Sequence, residues 1–244
     1  MKAIGFKLVT LRALLCPVAW ASTAVFAATP TAAPPSPDAP LPIVRTWVLS
    51  SDDLSGTRAS APTHHLRVEM AMISGTRWTP DEILAATRGA AAILAQCSIQ
   101  VDAVQLREFD GPRRYRYLRT PDSRELARRA GLGRPAVFFV DDTLQRPAFD
   151  AEAVGRANAA SRPEMENTVW ITAGIRDLPV ALAHELVHVL TDSGAHSDAP
   201  DNLMREETAA ASTRLDARQC NAMRENGVAR GLLTTARADK PPRN

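Results

Sequence analysis

Apolar and polar residues alternate over most of Leu66-Arg67-Val68-Glu69-Met70-Ala71-Met72, the period-two signature of a half-buried strand. Ile43 to Leu49 is rich in β-branched and aromatic residues and predicts a first short strand. Ile99 to Phe109, with Val101, Val104 and Leu106, predicts another. Pro135 to Val140 is apolar throughout, as expected for a central strand buried on both faces, with Asp141-Asp142 ending it in a turn. Asn167 to Thr172 predicts a further strand. Elsewhere the period lengthens to that of a helix. Thr79-Pro80-Asp81-Glu82 announces one: Thr79 caps, Pro80 takes the first position, and Glu82 closes a capping box. That helix runs to about Gln96, with Ile83, Leu84, Ala91 and Leu94 on its buried stripe. A second helix follows Asp177 as cap and Pro179 in its first turn, and Gly194 beyond it lets the chain turn back. A last helix spans Thr213 to Asn226, with Thr213 and Asp216 as a capping-box-like pair and Gly227 to end it. The order strand, strand, helix, strand, strand, strand, helix, turn, helix predicts an α/β (α+β) sandwich built on a mixed twisted sheet.

The N-terminus stands apart from this pattern. Lys2 and Lys7 precede an apolar run from Leu8 to Trp20, and small residues follow at Ala21, Ala24, Ala27 and Ala28. This is the layout of a secretory signal peptide, residues 1–28, cut after Ala27 or Ala28. A membrane anchor is the competing reading. The run is short for a span and is broken by Arg12 and Pro17, and Leu15 is too large for the small residue a lipobox needs before Cys16. Residues 29–42 are rich in Ala, Pro and Thr, a linker that cannot bury a core. Residues 43–244 form one domain, expected to be exported to the periplasm or secreted, without stable membrane insertion, and taken as a monomer.

Charge and cysteine content narrow the classes further. Lys and Arg number 29 against 27 Asp and Glu, a balance that gives no global reason to expect nucleic acid. The stretch from Asp110 to Arg134 is nonetheless rich in arginine, with Tyr115 and Tyr117 interleaved. The reading preferred here is a solvated, partly helical insertion rather than a nucleic-acid surface. Cys97 and Cys220 survive signal removal, and an even pair in an exported chain predicts one disulfide, two buried thiols being the alternative.

The candidate chemistry lies at His184-Glu185-Leu186-Val187-His188. On a helix, residues four apart share a face, so both imidazoles can bind one metal ion, in a geometry that suits Zn²⁺. Glu185 lies beside them, placed to accept a proton from the attacking water. Val180, Leu182, Leu186, Val187, Val189 and Leu190 supply apolar faces for the helix. A catalytic zinc needs a third protein ligand, and His196, just past Gly194, is the candidate.

These residues resemble the metzincin zinc peptidases and, within them, the matrixins. In that family the third His continues as His-Ser-x-x-Pro-x-x-Leu-Met into a Met-turn, and His196, Ser197, Pro200, Leu203 and Met204 match it position by position. The spacing before it departs from the H-E-x-x-H-x-x-G-x-x-H pattern, since Thr191 stands where the family has Gly and two extra residues precede His196. The resemblance implies a twisted mixed sheet, an active-site helix, a Met-turn with Met204 as a packing floor, a C-terminal helix, and a peptide or protein substrate. It further implies that the last strand before the active-site helix borders the cleft as an edge and pairs with extended peptide.

Glu207 is a rival third ligand, nineteen residues after His188, a spacing that resembles the gluzincins if Arg205 to Ala211 is helical. Asp192 and Asp198 stand behind it. The expected activity is zinc-dependent peptide hydrolysis, with His184, His188 and His196 on the metal and Glu185 as general base. The alternative is a zinc-bearing binding or assembly domain with weak or lost hydrolysis.

Overall fold

The computed structural model describes residues 36, 39–54, 61–143, 153–156, 163–207 and 209–236, so the expected signal peptide, its cleavage site and most of the expected linker lie outside the described residues. By internal contacts the chain divides into Met1–Ser36 and Pro37–Asn244, and the fold belongs to the second unit. No helix among the described residues is long and apolar enough to cross a membrane.

In chain order the elements are β1 (Ile43–Ser50), β2 (His64–Ile73), α1 (Pro80–Leu94), β3 (Ile99–Phe109), β4 (Tyr117–Leu118), α2 (Thr120–Ala130), β5 (Ala136–Val140), β6 (Asp142–Thr143), β7 (Ala153–Arg156), β8 (Thr168–Thr172), α3 (Leu178–Thr191), α4 (Ala217–Ala229) and β9 (Leu233–Thr235). The main sheet is seven-stranded, ordered β1-β3-β2-β5-β8-β7, with β9 paired to β2. β3, β2, β5 and β8 run parallel to one another, while β1, β7 and β9 pair antiparallel with β3, β8 and β2. The fold is therefore the α/β layered type with a mixed sheet. β4 and β6 form a separate two-stranded parallel sheet.

Strand alternation splits the core between the two faces of the sheet. Val68, Met70 and Met72 of β2, Val137 and Phe139 of β5, and Val169 and Ile171 of β8 join the core built with α1, α3 and α4. The alternate residues Ala71, Ile73, Phe138, Val140 and Trp170 join Leu126 and Ala127 of α2 in the second core. β5 is thus buried on both faces, as its unbroken apolar run requires. Phe138 and Trp170 stack with ring centroids 4.3 Å apart, so neighbouring strands lock on the second face as well.

Local chemistry explains the helix boundaries. α1 has the Thr79/Glu82 capping box in full, each side chain bonded to the other residue's backbone N–H. α1 and α3 approach closely at Gly89, where a Cβ would lie 2.6 Å from Pro179 Cβ, so any larger residue forces the helices apart. α4 begins at Ala217, later than the expected start at Thr213, because Asp216 and Gln219 form the capping box rather than Thr213 and Asp216. Gly227 does not end α4. It lies inside the helix, where a Cβ would stand 2.7 Å from Leu233 Cδ1, and the positive-φ glycine beyond the helix is Gly231.

Three further expectations change on the same face-by-face accounting. β8 is not an edge, because β7 pairs along it and is the outer strand of the described sheet. Asp141 is not a solvated turn residue. It is 4% exposed and accepts from the Thr76 hydroxyl, the Arg77 backbone N–H and the Arg116 guanidinium. Burial pushes its carboxyl up, but these donors outweigh burial and hold it below the usual carboxylate range. The arginine-rich stretch is partly helical, as expected, but is not simply solvated. Arg114 and Arg129 bridge to Glu125, Arg119 to Asp122, Arg116 to Asp141 and Arg124 to Glu164. Arg129 also donates to the buried Tyr115 hydroxyl at 3.0 Å. Arg114 thus ties the preceding 3₁₀ turn to α2, Arg116 ties that turn to the end of β5, and Arg124 ties α2 to the segment before β8.

A disulfide joins Cys97, at the end of the turn after α1, to Cys220 on α4, with Cα atoms 4.9 Å apart. Arg224 adds a hydrogen bond to the Cys97 carbonyl at 2.8 Å, so two residues of α4 hold the turn after α1.

Candidate metal centre

α3 carries the H-E-x-x-H residues deep in the first core. Its apolar residues Val180, Leu182, Leu186, Val187, Val189 and Leu190 are all buried, and His184 and Glu185 are buried with them at 4% and 7% exposure. The helix starts differently from the sequence expectation. Asp177 adopts the left-handed region at φ 51° and makes no side-chain cap bond. Its backbone carbonyl instead accepts from the N–H groups of Val180 at 2.8 Å and Ala181 at 3.1 Å. Pro179 occupies the first turn, where its missing N–H leaves nothing unpaired.

The exit from α3 is made by Asp192, not Gly194. Asp192 is left-handed at φ 52°, a conformation Asp tolerates better than most residues, and its N–H bonds back to the helix. Its carboxylate meets Arg230 at 3.3 Å. The turn brings the Ser193 carbonyl over the His188 ring, where it accepts from Nδ1 at 2.7 Å. The chain then carries the exposed His196 back over the helix.

His184, His188 and His196 come together. Each offers a ring nitrogen, and these nitrogens lie within 4.8 Å of one another, the one such group among the described residues. The ring centroids are 4.6, 5.4 and 5.0 Å apart for the pairs 184–188, 184–196 and 188–196. Glu207 is not in the group. It is exposed, Arg205 to Glu207 is not helical, and it shares with His196 only a polar cavity of about 300 Å³ also lined by Asp198. A second cavity, about 490 Å³, lies beside His196 and is lined by Val187, Thr191, Met204, Gln219 and Asn226 among others. Met204 is 2% exposed in the same core as Leu186 and Val187.

The hydrogen bonds around the two helical histidines test whether a metal fits. His184 Nδ1 faces the Leu203 carbonyl at 2.9 Å, and His188 Nδ1 faces the Ser193 carbonyl at 2.7 Å. A carbonyl oxygen can only accept, so each Nδ1 carries the proton and each Nε2 presents a bare lone pair. Those two Nε2 atoms stand 2.9 Å apart. Lone pairs so close repel unless a cation lies between or before them. Burial makes a proton a poor choice for that cation. It drives the His184 pKa down to about 4, against the opposing Leu203 hydrogen bond and with help from His188 and His196. Burial lowers that of His188 too, again against its carbonyl partner. Two neutral imidazoles with fixed tautomers and convergent Nε2 atoms are the donor set that a soft-to-borderline divalent ion accepts.

The residues that hold these rings carry no metal-binding signal in the sequence. They are the backbone carbonyls of Leu203 and Ser193 and, behind them, Asn202 and Gln219, whose side-chain amides bond to each other at 3.0 and 3.1 Å. The one legible sign is the D-x-x-Q capping pattern of Asp216 and Gln219.

The chain matches no protein-family model and no curated protein. Among solved structures it is similar to metalloproteinase-II from Bacteroides fragilis, at 18% sequence identity and a TM-score of 0.45 over 70% of this chain. The match covers 55% of that protein, so the chain spans about half of its length.

Proposed function

We propose that the chain is an exported zinc-dependent metallopeptidase that hydrolyses peptide bonds. The observation that carries this reading is the convergence of the His184, His188 and His196 ring nitrogens, with two of the rings locked by backbone carbonyls, on the helix that bears buried Glu185. A zinc ion held there supplies Lewis acidity for the scissile carbonyl and lowers the pKa of water toward ~7.

The chain's own residues do the rest. Burial keeps His184 and His188 neutral and therefore able to ligate. Glu185 takes one proton from the attacking water as its oxygen bonds to the carbonyl carbon. It then delivers that proton to the nitrogen as the C–N bond breaks, and the water's second proton follows from the new carboxyl group to the amine, giving a carboxylate and an ammonium. The outer strand β7 lies against α3 and offers a backbone edge for an extended peptide, the part first expected of β8. The substrate class is peptide or protein, and export follows from residues 1–28.

The test is cleavage of a peptide library by the purified chain before and after chelation. Cleavage should vanish on metal removal and return with about one equivalent of zinc. Cleavage that survives complete metal removal would overturn the proposal.

A further inference from the structure

We infer that Asn202 and Gln219 are positioning residues for the metal centre, a clasp of two amides that sets the rotation of one peptide plane and through it aims the His184 ring; this rests on the metal-centre reading of His184, His188 and His196.

The plane is the trans peptide between Leu203 and Met204, which carries the Leu203 carbonyl and the Met204 N–H on opposite sides. The carbonyl accepts from His184 Nδ1 at 2.9 Å, and the N–H donates to Asn202 Oδ1 at 2.8 Å. Because the unit is rigid, whatever fixes the N–H fixes the direction of the carbonyl. The carbonyl in turn decides which His184 nitrogen holds the proton and which is bare toward the metal.

Asn202 could grip that N–H only with its oxygen, and Gln219 enforces this. Asn202 Nδ2 donates to Gln219 Oε1 at 3.1 Å while Gln219 Nε2 donates to Asn202 Oδ1 at 3.0 Å. Turned over, the Asn202 amide would set donor against donor at Met204 and again at Gln219. Gln219 is itself held in the α4 capping box: its Oε1 accepts from the Asp216 N–H at 2.9 Å, and its own N–H donates to Asp216 Oδ1 at 2.8 Å. Asn202 is 6% exposed, so water is poorly placed to replace a lost partner. The same turn reaches a second candidate ligand, because the Met204 carbonyl accepts from the Ser197 N–H, next to His196, at 2.7 Å. A path of hydrogen bonds thus runs from the start of α4 to both His184 and the His196 segment.

Two measurements on the full mature chain test this: zinc affinity by competition with a chromophoric chelator, and the His184 tautomer from imidazole ¹⁵N shifts of the metal-free protein. Asn202→Ala should weaken zinc binding by ~10–100-fold and abolish the fixed Nδ1–H form of His184. Asn202→Asp, which keeps an oxygen for the Met204 N–H, should recover most of the affinity. Gln219→Ala should move both readouts in the same direction by less, and it decides the matter if Asn202→Ala does not fold. Wild-type affinity and an unchanged tautomer in both alanine variants would overturn the inference. So would a loss of affinity with the tautomer intact and no rescue by Asp, which marks general loosening. If the wild-type chain binds no zinc, the metallopeptidase reading fails, and the tautomer comparison still decides whether the clasp aims the ring.

Discussion

Glu185→Ala is expected to keep about one zinc per chain and to slow peptide hydrolysis by ~100-fold or more, the loss typical of a missing general base. The two halves of this expectation have separate origins. Metal retention follows because the ring nitrogens of His184, His188 and His196, and the Leu203 and Ser193 carbonyls behind two of them, do not involve the Glu185 side chain. The loss of rate follows from the proposed role of Glu185, which accepts and returns the proton. Glu185→Gln preserves shape and removes basicity, so it should be slowed similarly. Metal analysis together with turnover of a peptide cleaved by the wild type checks both halves. Loss of metal, or unchanged turnover, would count against the assignment.

The second large effect concerns stability. Breaking the Cys97–Cys220 bridge should lower the unfolding free energy by about 5 kcal/mol, the chain-entropy value for a closed loop this long. The loop is long because the two cysteines lie 123 residues apart. It encloses β3, β5, β8 and α3, so the open chain gains much freedom when unfolded. Denaturant unfolding of the oxidised chain against a Cys97→Ser/Cys220→Ser variant measures it. The native state should suffer less than the unfolded state gains, because Arg224 still bonds the Cys97 carbonyl and Met223 remains buried. An unchanged midpoint would show that the bridge constrains little.

The parts of this fold written in local chemistry were legible from the residues alone. The Thr79/Glu82 box, the unbroken apolar run of β5 and the four-residue spacing of His184 and His188 each act within a few residues, and each is found where expected. What was not legible depends on distant partners. β8 reads as an edge because β7 is only four residues long and is recruited by backbone pairing, as at Val154 and Trp170. Asp141 reads as a turn residue because its burial is made tolerable by Thr76, Arg77 and Arg116, all remote in sequence. At the exit of α3, Gly194 drew attention as the flexible residue, yet Asp192 takes the left-handed turn one step after the helix ends. Asn202 and Gln219 are seventeen residues apart and of ordinary polar type, so nothing but their placement reveals the pairing.

Zinc affinity in His196→Ala set beside Glu207→Ala tests the central claim most directly. His196 brings its ring to both helical histidines, whereas Glu207 shares only a cavity wall with it. His196→Ala should cut zinc affinity sharply, and Glu207→Ala should leave it nearly intact. A chain stripped of metal by Glu207→Ala but not by His196→Ala would contradict the account of this centre.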